Sequence, residues 1–89
     1  MQKQHLTIIN KLGLHARAAS KLAQASARFS SDIKMHCQGK SVNAKSVMAL
    51  MLLAAGKGTE LELEINGPDE DEALSAICTL ISDRFGEAE

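Results

Sequence analysis

The segment TELELEIN at residues 59–66 alternates strictly between apolar and charged side chains, and this pattern constrains the fold more than any other. In an extended chain, the apolar residues fall on one side and the carboxylates on the other. The apolar set is Leu61, Leu63 and Ile65, and the carboxylates are Glu60, Glu62 and Glu64. A strand of this kind has one buried face and one face in water, which is typical of an antiparallel sheet with helices on one side.

Other segments alternate in the same way. KQHLTIIN at residues 3–10 predicts a first strand with Leu6 and Ile8 on one face. Residues 32–44 predict a hairpin, in which DIKMHC and SVNA are the strands and QGK is the turn. The inward side of its first strand carries Ile33, Met35 and Cys37. The sequence therefore predicts four strands.

Three segments predict helices. Residues 16–29 are strong helix formers with a narrow apolar stripe, which consists of Ala19, Leu22, Ser26 and Phe29. Ser46 is a natural N-cap for a short second helix, which Gly56 and Gly58 limit. In the third helix Asp69 and Glu72 have capping-box spacing, with Asp69 as the cap. Its predicted core stripe is Leu74, Ile77, Cys78, Ile81 and Phe85.

The element order β-α-β-β-α-β-α predicts an α+β fold. We expect an open-faced two-layer sandwich, in which three helices cover one face of a four-stranded antiparallel sheet. The chain has 89 residues and no linker-like segment, which predicts a single domain over residues 1–89. The longest apolar run, VMALMLLAA, is too short to span a bilayer, so no membrane insertion is expected and the chain is interpreted as cytoplasmic.

Composition and spacing exclude several kinds of site. A net charge of −1 and an aromatic content of 2% argue against nucleic acid binding. No His and Cys set has zinc-ligand spacing and no glycine-rich nucleotide motif occurs, so neither a metal nor a cofactor is expected. Cys37 and Cys78 are interpreted as reduced thiols. His5 and His36 are predicted on the wet face of the sheet, as solvated residues.

His15 differs from the other histidines because of its position. Gly13 permits an unusual backbone conformation just before it, and Ala16 begins a predicted helix. His15 therefore lies at or next to the N-cap, where free backbone N–H groups favour an anion. The positive charge of Arg17 in the first turn is unfavourable near the positive end of the helix dipole. A bound anion would make this charge favourable, because the guanidinium could then bind it. These groups indicate either a histidine that accepts a phosphoryl group or a plain cap histidine beside a surface arginine.

Three motifs in order, GLHARAA, KSVMALM and GKGTELELEINGPDEDEAL, give the whole chain a close resemblance to the HPr family. These are the histidine phosphocarriers of the bacterial phosphotransferase system. The resemblance implies that His15 is phosphorylated at Nδ1 by Enzyme I and passes the group to an Enzyme IIA-type acceptor. Arg17 and the backbone N–H groups of Ala16 and Ala18 would bind the phosphoryl group. The resemblance also implies a monomer that is a carrier rather than a stand-alone enzyme.

Further residues acquire roles by the same resemblance. Ser46 aligns with a serine that an HPr kinase/phosphorylase modifies in many relatives, although as an N-cap it needs no such role. Positions of the partner-docking surface match Ser20, Val47, Met48 and Met51. Exposed methionines suit a surface that meets several partners, and core packing is the alternative for part of this helix.

Two residues depart from the pattern of the family. Many members have proline where this chain has Ala18, and many sugar-system members have Asn or Ser where it has Leu12. With these two residues the chain resembles the proteobacterial phosphocarriers, which include the nitrogen-related branch with its own Enzyme I paralogue. An alternative function is therefore a regulatory docking module of the nitrogen-related system, which acts mainly through protein binding and Ser46 phosphorylation.

Overall fold

A computed structural model of the chain describes residues 1–88 and shows a four-stranded antiparallel sheet with three helices on one face. The strands are β1 (Gln2–Thr7), β2 (Asp32–Cys37), β3 (Lys40–Asn43) and β4 (Glu60–Asn66). The helices are α1 (Ala16–Ala27), α2 (Val47–Leu52) and α3 (Glu70–Ser82), and a short 3₁₀ turn follows at Arg84–Gly86. The predicted open-faced sandwich and its element order are confirmed.

The strand order is β1-β4-β2-β3, which places the alternating strand β4 between β1 and β2. Its apolar residues Leu61, Leu63 and Ile65 are all buried under the helices. Met35 of β2 pairs with Leu63 in the register and belongs to the same core. The strict alternation thus produces the expected sheet, which has one buried face and one solvent-exposed face.

Helix α1 covers the sheet with small side chains and one leucine. Its buried residues are Ala18, Ala19, Leu22, Ala23 and Ser26. The helix ends at Ala27, two residues before the predicted end at Phe29. The N–H groups of Arg28 and Phe29 donate to the carbonyls of Ala25 and Ser26, three residues back, so the chain tightens into a final turn and leaves the α-helix.

The predicted capping box of α3 does not form. Asp69 is the N-cap residue, but its side chain makes no cap hydrogen bond. Its carboxylate instead accepts from the backbone N–H groups of Ser30 and Ser31, at 2.8 and 2.9 Å, and from the Ser31 hydroxyl at 2.5 Å. These bonds lower the pKa of Asp69, with the Ser31 hydroxyl as the largest cause. Asp69 therefore ties the start of α3 to the α1–β2 loop.

The end of α3 also differs from the prediction. Phe85 is buried as expected, but it lies outside the helix, since α3 ends at Ser82. Arg84 and Phe85 both have positive φ angles, of 54° and 56°, which turn the chain back towards α1. The Lys21 ammonium donates to the Phe85 carbonyl at 2.7 Å and holds this turn against α1. The turn brings Glu87 to the start of α1.

The two cysteines are free thiols, with Cys37 buried and Cys78 half-buried. Burial raises the pKa of the Cys78 thiol. No helix within residues 1–88 has the length and apolar character needed to cross a membrane.

Candidate functional site

His15 occupies the N-cap position of α1, as the sequence predicts. Its backbone carbonyl accepts from the Ala19 N–H at 2.8 Å, whereas its side chain makes no cap bond. Within residues 1–88, no acceptor is found for the backbone N–H groups of Ala16, Arg17 and Ala18. The first turn of α1 therefore presents three free donors and the positive end of the helix dipole beside the imidazole.

Gly13 fixes the path of the chain into His15. It has a φ of 69°, and a Cβ there would lie 2.6 Å from the Ala55 carbonyl oxygen and 2.7 Å from the Gly56 Cα. Next to it, the Leu14 N–H donates to the same Ala55 carbonyl at 2.8 Å. The loop before α1 thus lies directly against the loop after α2, at a separation that only glycine permits.

Glu87 completes the site, although no sequence pattern indicates it. Its Oε2 lies 2.5 Å from Nε2 of His15, and its side chain is only 14% exposed. Its other oxygen accepts from the Asn10 amide at 3.0 Å. Glu87 is 72 residues away from His15 in the chain, so no local spacing could have predicted this pair.

The contacts around Glu87 keep its carboxylate ionised. The hydrogen bond with His15 is the largest cause that lowers the pKa of Glu87, followed by the hydrogen bond from Asn10. Partial burial opposes them, and the nearby charge of Lys21 contributes a smaller lowering. An ionised carboxylate can only accept, so it orients the His15 ring with the proton on Nε2. Within residues 1–88, Nδ1 then keeps its lone pair without a partner.

Asn10 is the second residue that the sequence did not reveal. It is fully buried, and its amide donates to the Gly13 carbonyl at 2.8 Å and to Glu87. Its Oδ1 has no partner within the described part of the chain. The amide thus links the turn at Gly13 to the carboxylate that orients His15. The one signal available in the sequence is an asparagine three residues before a glycine, a spacing typical of a turn.

The side chains around His15 line an open groove of about 840 Å³. Its lining consists of Lys11, Leu12, His15, Ala16, Arg17, Glu87 and Ala88. Arg17 is exposed, and none of the ion pairs within residues 1–88 involves it. Ala18 is fully buried, so only its backbone N–H can contribute to the site.

Helix α2 carries three exposed apolar residues, and two of them, Met48 and Met51, belong to the predicted docking surface. Met48, Met51 and Leu52 are 78%, 45% and 71% exposed, and we call them the α2 patch. Val47 and Ser20 are half-buried, whereas Leu50 is fully buried in the core. The prediction that only part of this helix packs inside is confirmed. Leu12, at the edge of the His15 groove, is 67% exposed and adds to the apolar surface at this end.

Ser46 is the N-cap of α2, as predicted. Its hydroxyl oxygen accepts from the Ala49 N–H at 3.3 Å, a long bond, and its side chain is half-buried. The serine immediately precedes Val47 and lies two residues before Met48. A negative charge on this hydroxyl would therefore lie at the edge of the α2 patch.

The wet face of the sheet differs from the prediction of solvated side chains. His5 is well exposed, but His36, Glu62 and Glu64 are half-buried and face one another. Strand pairing explains this, because His36 lies opposite Glu62 across β2 and β4. Spacing along one strand does not reveal a cluster that only the pairing of two strands assembles.

Comparisons with known proteins agree with this fold. The family model described as "PTS HPr component phosphorylation site" matches residues 2–83. The phosphocarrier protein HPr of Cupriavidus necator is 54% identical over 89 residues, which is 100% of both chains. The crystal structure of HPr-C-His from Thermoanaerobacter tengcongensis has a TM-score of 0.96 at 42% identity and covers 100% of both chains. A crystal structure of an HPr dimer from the same organism has a TM-score of 0.79 at 42% identity and covers 98% of this chain and all of that one.

Proposed function

The chain belongs to the HPr family of phosphocarrier proteins, and we propose that it carries the phosphoryl group on Nδ1 of His15. In this proposal the donor is phosphorylated Enzyme I, or its nitrogen-related paralogue, and the acceptor is an Enzyme IIA-type protein. The chain works as a monomer that alternates between these two partners. It supplies a nucleophile and an anion site, while the substrate arrives on another protein.

The contact between His15 and Glu87 is the single observation that carries the proposal. The carboxylate oxygen lies 2.5 Å from Nε2 and accepts a hydrogen bond from the N–H of that nitrogen. The lone pair is then left on Nδ1, and the ring is held in one tautomer before any partner binds. A ring fixed in this way is poised as a nucleophile.

The transfer balances without an added acid or base. The Nδ1 lone pair attacks the phosphorus of the donor phosphohistidine, an N–P bond to His15 forms, and the N–P bond of the donor breaks. The donor ring, which carries a proton on its other nitrogen while phosphorylated, leaves as neutral imidazole, and the His15 ring becomes a phosphorylated imidazolium that retains its Nε2 proton. The Glu87 carboxylate stabilises this positive charge through the existing hydrogen bond. Donation to the acceptor reverses these steps.

The first turn of α1 would stabilise the phosphoryl oxygens. Its free N–H groups, at Ala16, Arg17 and Ala18, favour an anion, and the guanidinium of Arg17 has no carboxylate partner within residues 1–88. Arg17 is exposed, so it can move towards the phosphoryl group when it arrives. Arginine suits this role because its planar fork matches a phosphoryl group.

The experiment is phosphorylation of the purified chain by phosphoenolpyruvate and a catalytic amount of Enzyme I. We expect one acid-labile, base-stable phosphate on the wild type and none on His15→Ala. The ³¹P and ¹⁵N NMR spectra of the product should assign the N–P bond to Nδ1. Absence of phosphate on the wild type, its persistence on His15→Ala, or attachment at Nε2 would contradict the proposal.

A further inference from the structure

The outer face of the sheet carries two ordered rows of polar side chains across the strands. In the register, Glu62 of β4 lies between His5 of β1 and His36 of β2. The next row places Glu64 between Lys3 and Lys34. Two histidines and two carboxylates therefore meet near the middle of the sheet, and the phosphocarrier chemistry at His15 does not use them.

Two distances within this group are close to the separation between ligands of one metal ion. Nε2 of His36 lies 3.3 Å from Oε1 of Glu64, and Nε2 of His5 lies 3.4 Å from Oε2 of Glu62. Ligand atoms of His36, Glu62 and Glu64 all lie within 4.8 Å of one another. Tetrahedral Zn²⁺ with bonds of about 2.0–2.1 Å separates its ligand atoms by roughly 3.3 Å.

We propose that His36, Glu62 and Glu64 form a binding site for a divalent transition-metal cation, which we call the sheet site. The nitrogen and oxygen donors suit Zn²⁺ rather than Mg²⁺ or Ca²⁺, which take oxygen ligands. His5 is 84% exposed and adjoins Glu62, so it can turn to supply a fourth ligand. The sheet site does not depend on the role proposed for His15.

The surroundings of His36 support metal binding. Its Nδ1 is hydrogen-bonded to the Ser41 hydroxyl of β3, an outer contact that fixes the orientation of the ring. When the ring donates through Nδ1, the Nε2 lone pair faces the carboxylate of Glu64. The same contact is a hydrogen bond in the tautomer that carries its proton on Nε2, and a bound metal ion replaces that proton.

Charge and rigidity favour the same cation. Two carboxylates with neutral histidines neutralise the two charges of Zn²⁺. The flanking ammonium of Lys3 is 4.0 Å from Glu64 and 57% exposed, so this weak pair gives way to a metal at little cost. His36, Glu62 and Glu64, and His5 as well, belong to paired strands, and this holds their backbones in place before the ion binds.

The test uses the untagged full chain, titrated with ZnCl₂ in a calorimeter at neutral pH. We expect one saturable site, and His36→Gln and Glu64→Gln should each weaken Zn²⁺ binding by about tenfold or more. Glu60→Gln is the matched control, because Glu60 is exposed on the same strand and face but outside the cluster. His15→Gln and Cys78→Ser are further controls that remove the other histidine–carboxylate pair and the accessible thiol, and neither should change the affinity.

NMR spectra provide a second measurement that does not depend on the stability of the variants. Zn²⁺ should shift the ring resonances of His36 and His5 in the wild type and leave those of His15 in place. An absence of saturable binding would overturn the proposal. Binding that survives His36→Gln, or that disappears with His15→Gln or Cys78→Ser, would place the ion elsewhere and overturn it as well.

Discussion

At the scale of single residues, Arg17 occupies a position that the fold alone does not favour. It lies in the first turn of α1, where a cation opposes the helix dipole, and within residues 1–88 it forms no ion pair. Arg28 is the natural contrast, because it lies at the C-cap of the same helix, where a cation is favourable. The two arginines of α1 should therefore behave in opposite ways.

We predict that Arg17→Gln slows phosphorylation by Enzyme I about tenfold or more, because the variant loses the charged donor for the phosphoryl oxygens. The same change should leave the free energy of unfolding unchanged or raise it by about 0.3 kcal/mol, as an unfavourable charge is removed. Urea unfolding and initial phosphorylation rates measure the two effects. Arg28→Gln is the control, with slightly lower stability and an unchanged rate. A large loss of stability in Arg17→Gln would mean that Arg17 is structural.

Glu87 gives a second prediction at this scale. In Glu87→Gln the amide can donate as well as accept, so the His15 ring is no longer held with its proton on Nε2. We expect phosphorylation to fall about tenfold, less than the loss seen when a fully buried carboxylate partner of a catalytic histidine is replaced. Glu72→Gln, at an exposed carboxylate in the first turn of α3, should leave the rate unchanged. An unchanged rate in Glu87→Gln would contradict the positioning role.

The pH dependence of stability follows from the same carboxylate. The folded-state pKa of Glu87 lies below its ordinary value of 4.5, so the native state favours the ionised form. The stabilisation is then fully present above pH 4.5 and is lost as the pH falls through the folded-state pKa. The wild type should be more stable than Glu87→Gln at pH 7, and the difference measured by urea unfolding should shrink on acidification below that value. A difference that grows in acid would reverse this sign.

At the scale of elements, strands were easier to predict than the ends of helices. Alternation in β4 places Leu61, Leu63 and Ile65 inside correctly, because burial on one face of a sheet depends only on a period of two. The capping box at Asp69 failed because Ser30 and Ser31 compete for that carboxylate from a distant loop. The prediction that Phe85 belongs to α3 is wrong for a similar reason. Its burial is predicted correctly, but burial alone does not show that the helix ends before it.

Helix α2 has only six residues, so most of its stability must come from its cap and from the buried Leu50. We predict that Ser46→Ala, which loses the acceptor for the Ala49 N–H, lowers the free energy of unfolding by about 1 kcal/mol. Ser46→Asp retains an acceptor and adds a negative charge at a helix N-terminus, so its stability should remain near that of the wild type.

The two Ser46 variants should differ in their affinity for Enzyme I. We propose Ser46 as a regulatory phosphorylation site, and Ser46→Asp places a similar charge beside the α2 patch. Its affinity for Enzyme I should fall about tenfold, whereas Ser46→Ala should bind normally once folded. Met48→Ala tests the patch itself, because Met48 is 78% exposed and its truncation removes contact area without adding charge. Equal affinities of wild type and Ser46→Asp would contradict the regulatory role.

At the scale of the whole molecule, the site depends on segments that are far apart in the sequence. The positions of His15 and Arg17 at the start of α1 could be predicted because they share one local motif with Gly13. Asn10 and Glu87 could not, because the contact between them spans 77 residues and depends on the turn after α3. The contacts on the outer face of the sheet could not be predicted either, because only strand pairing brings His36 next to Glu62. Sequence patterns thus indicate elements and local motifs, while contacts between elements need the structure.

Gly13 provides the prediction that tests this assembly. In Gly13→Ala, the new Cβ would lie 2.6 Å from the Ala55 carbonyl oxygen, and the φ of 69° is unfavourable for alanine. We expect the two loops to separate and the free energy of unfolding to fall by roughly 3 kcal/mol. Gly39→Ala is the matched control, because its φ of 83° is also positive but nothing lies within 4 Å of a Cβ there. That variant should lose only about 1 kcal/mol.

The same pair of variants connects the loop contact to phosphoryl transfer. The Gly13 carbonyl accepts from Asn10, which also donates to Glu87, so movement of this loop should disturb the carboxylate that orients His15. At a temperature where both variants are folded by circular dichroism, Gly13→Ala should be phosphorylated by Enzyme I about tenfold more slowly than Gly39→Ala. Equal rates would mean that the contact between the loops supports the fold alone. A lower rate confined to Gly13→Ala would mean that this close backbone contact sets the geometry of the phosphorylation site.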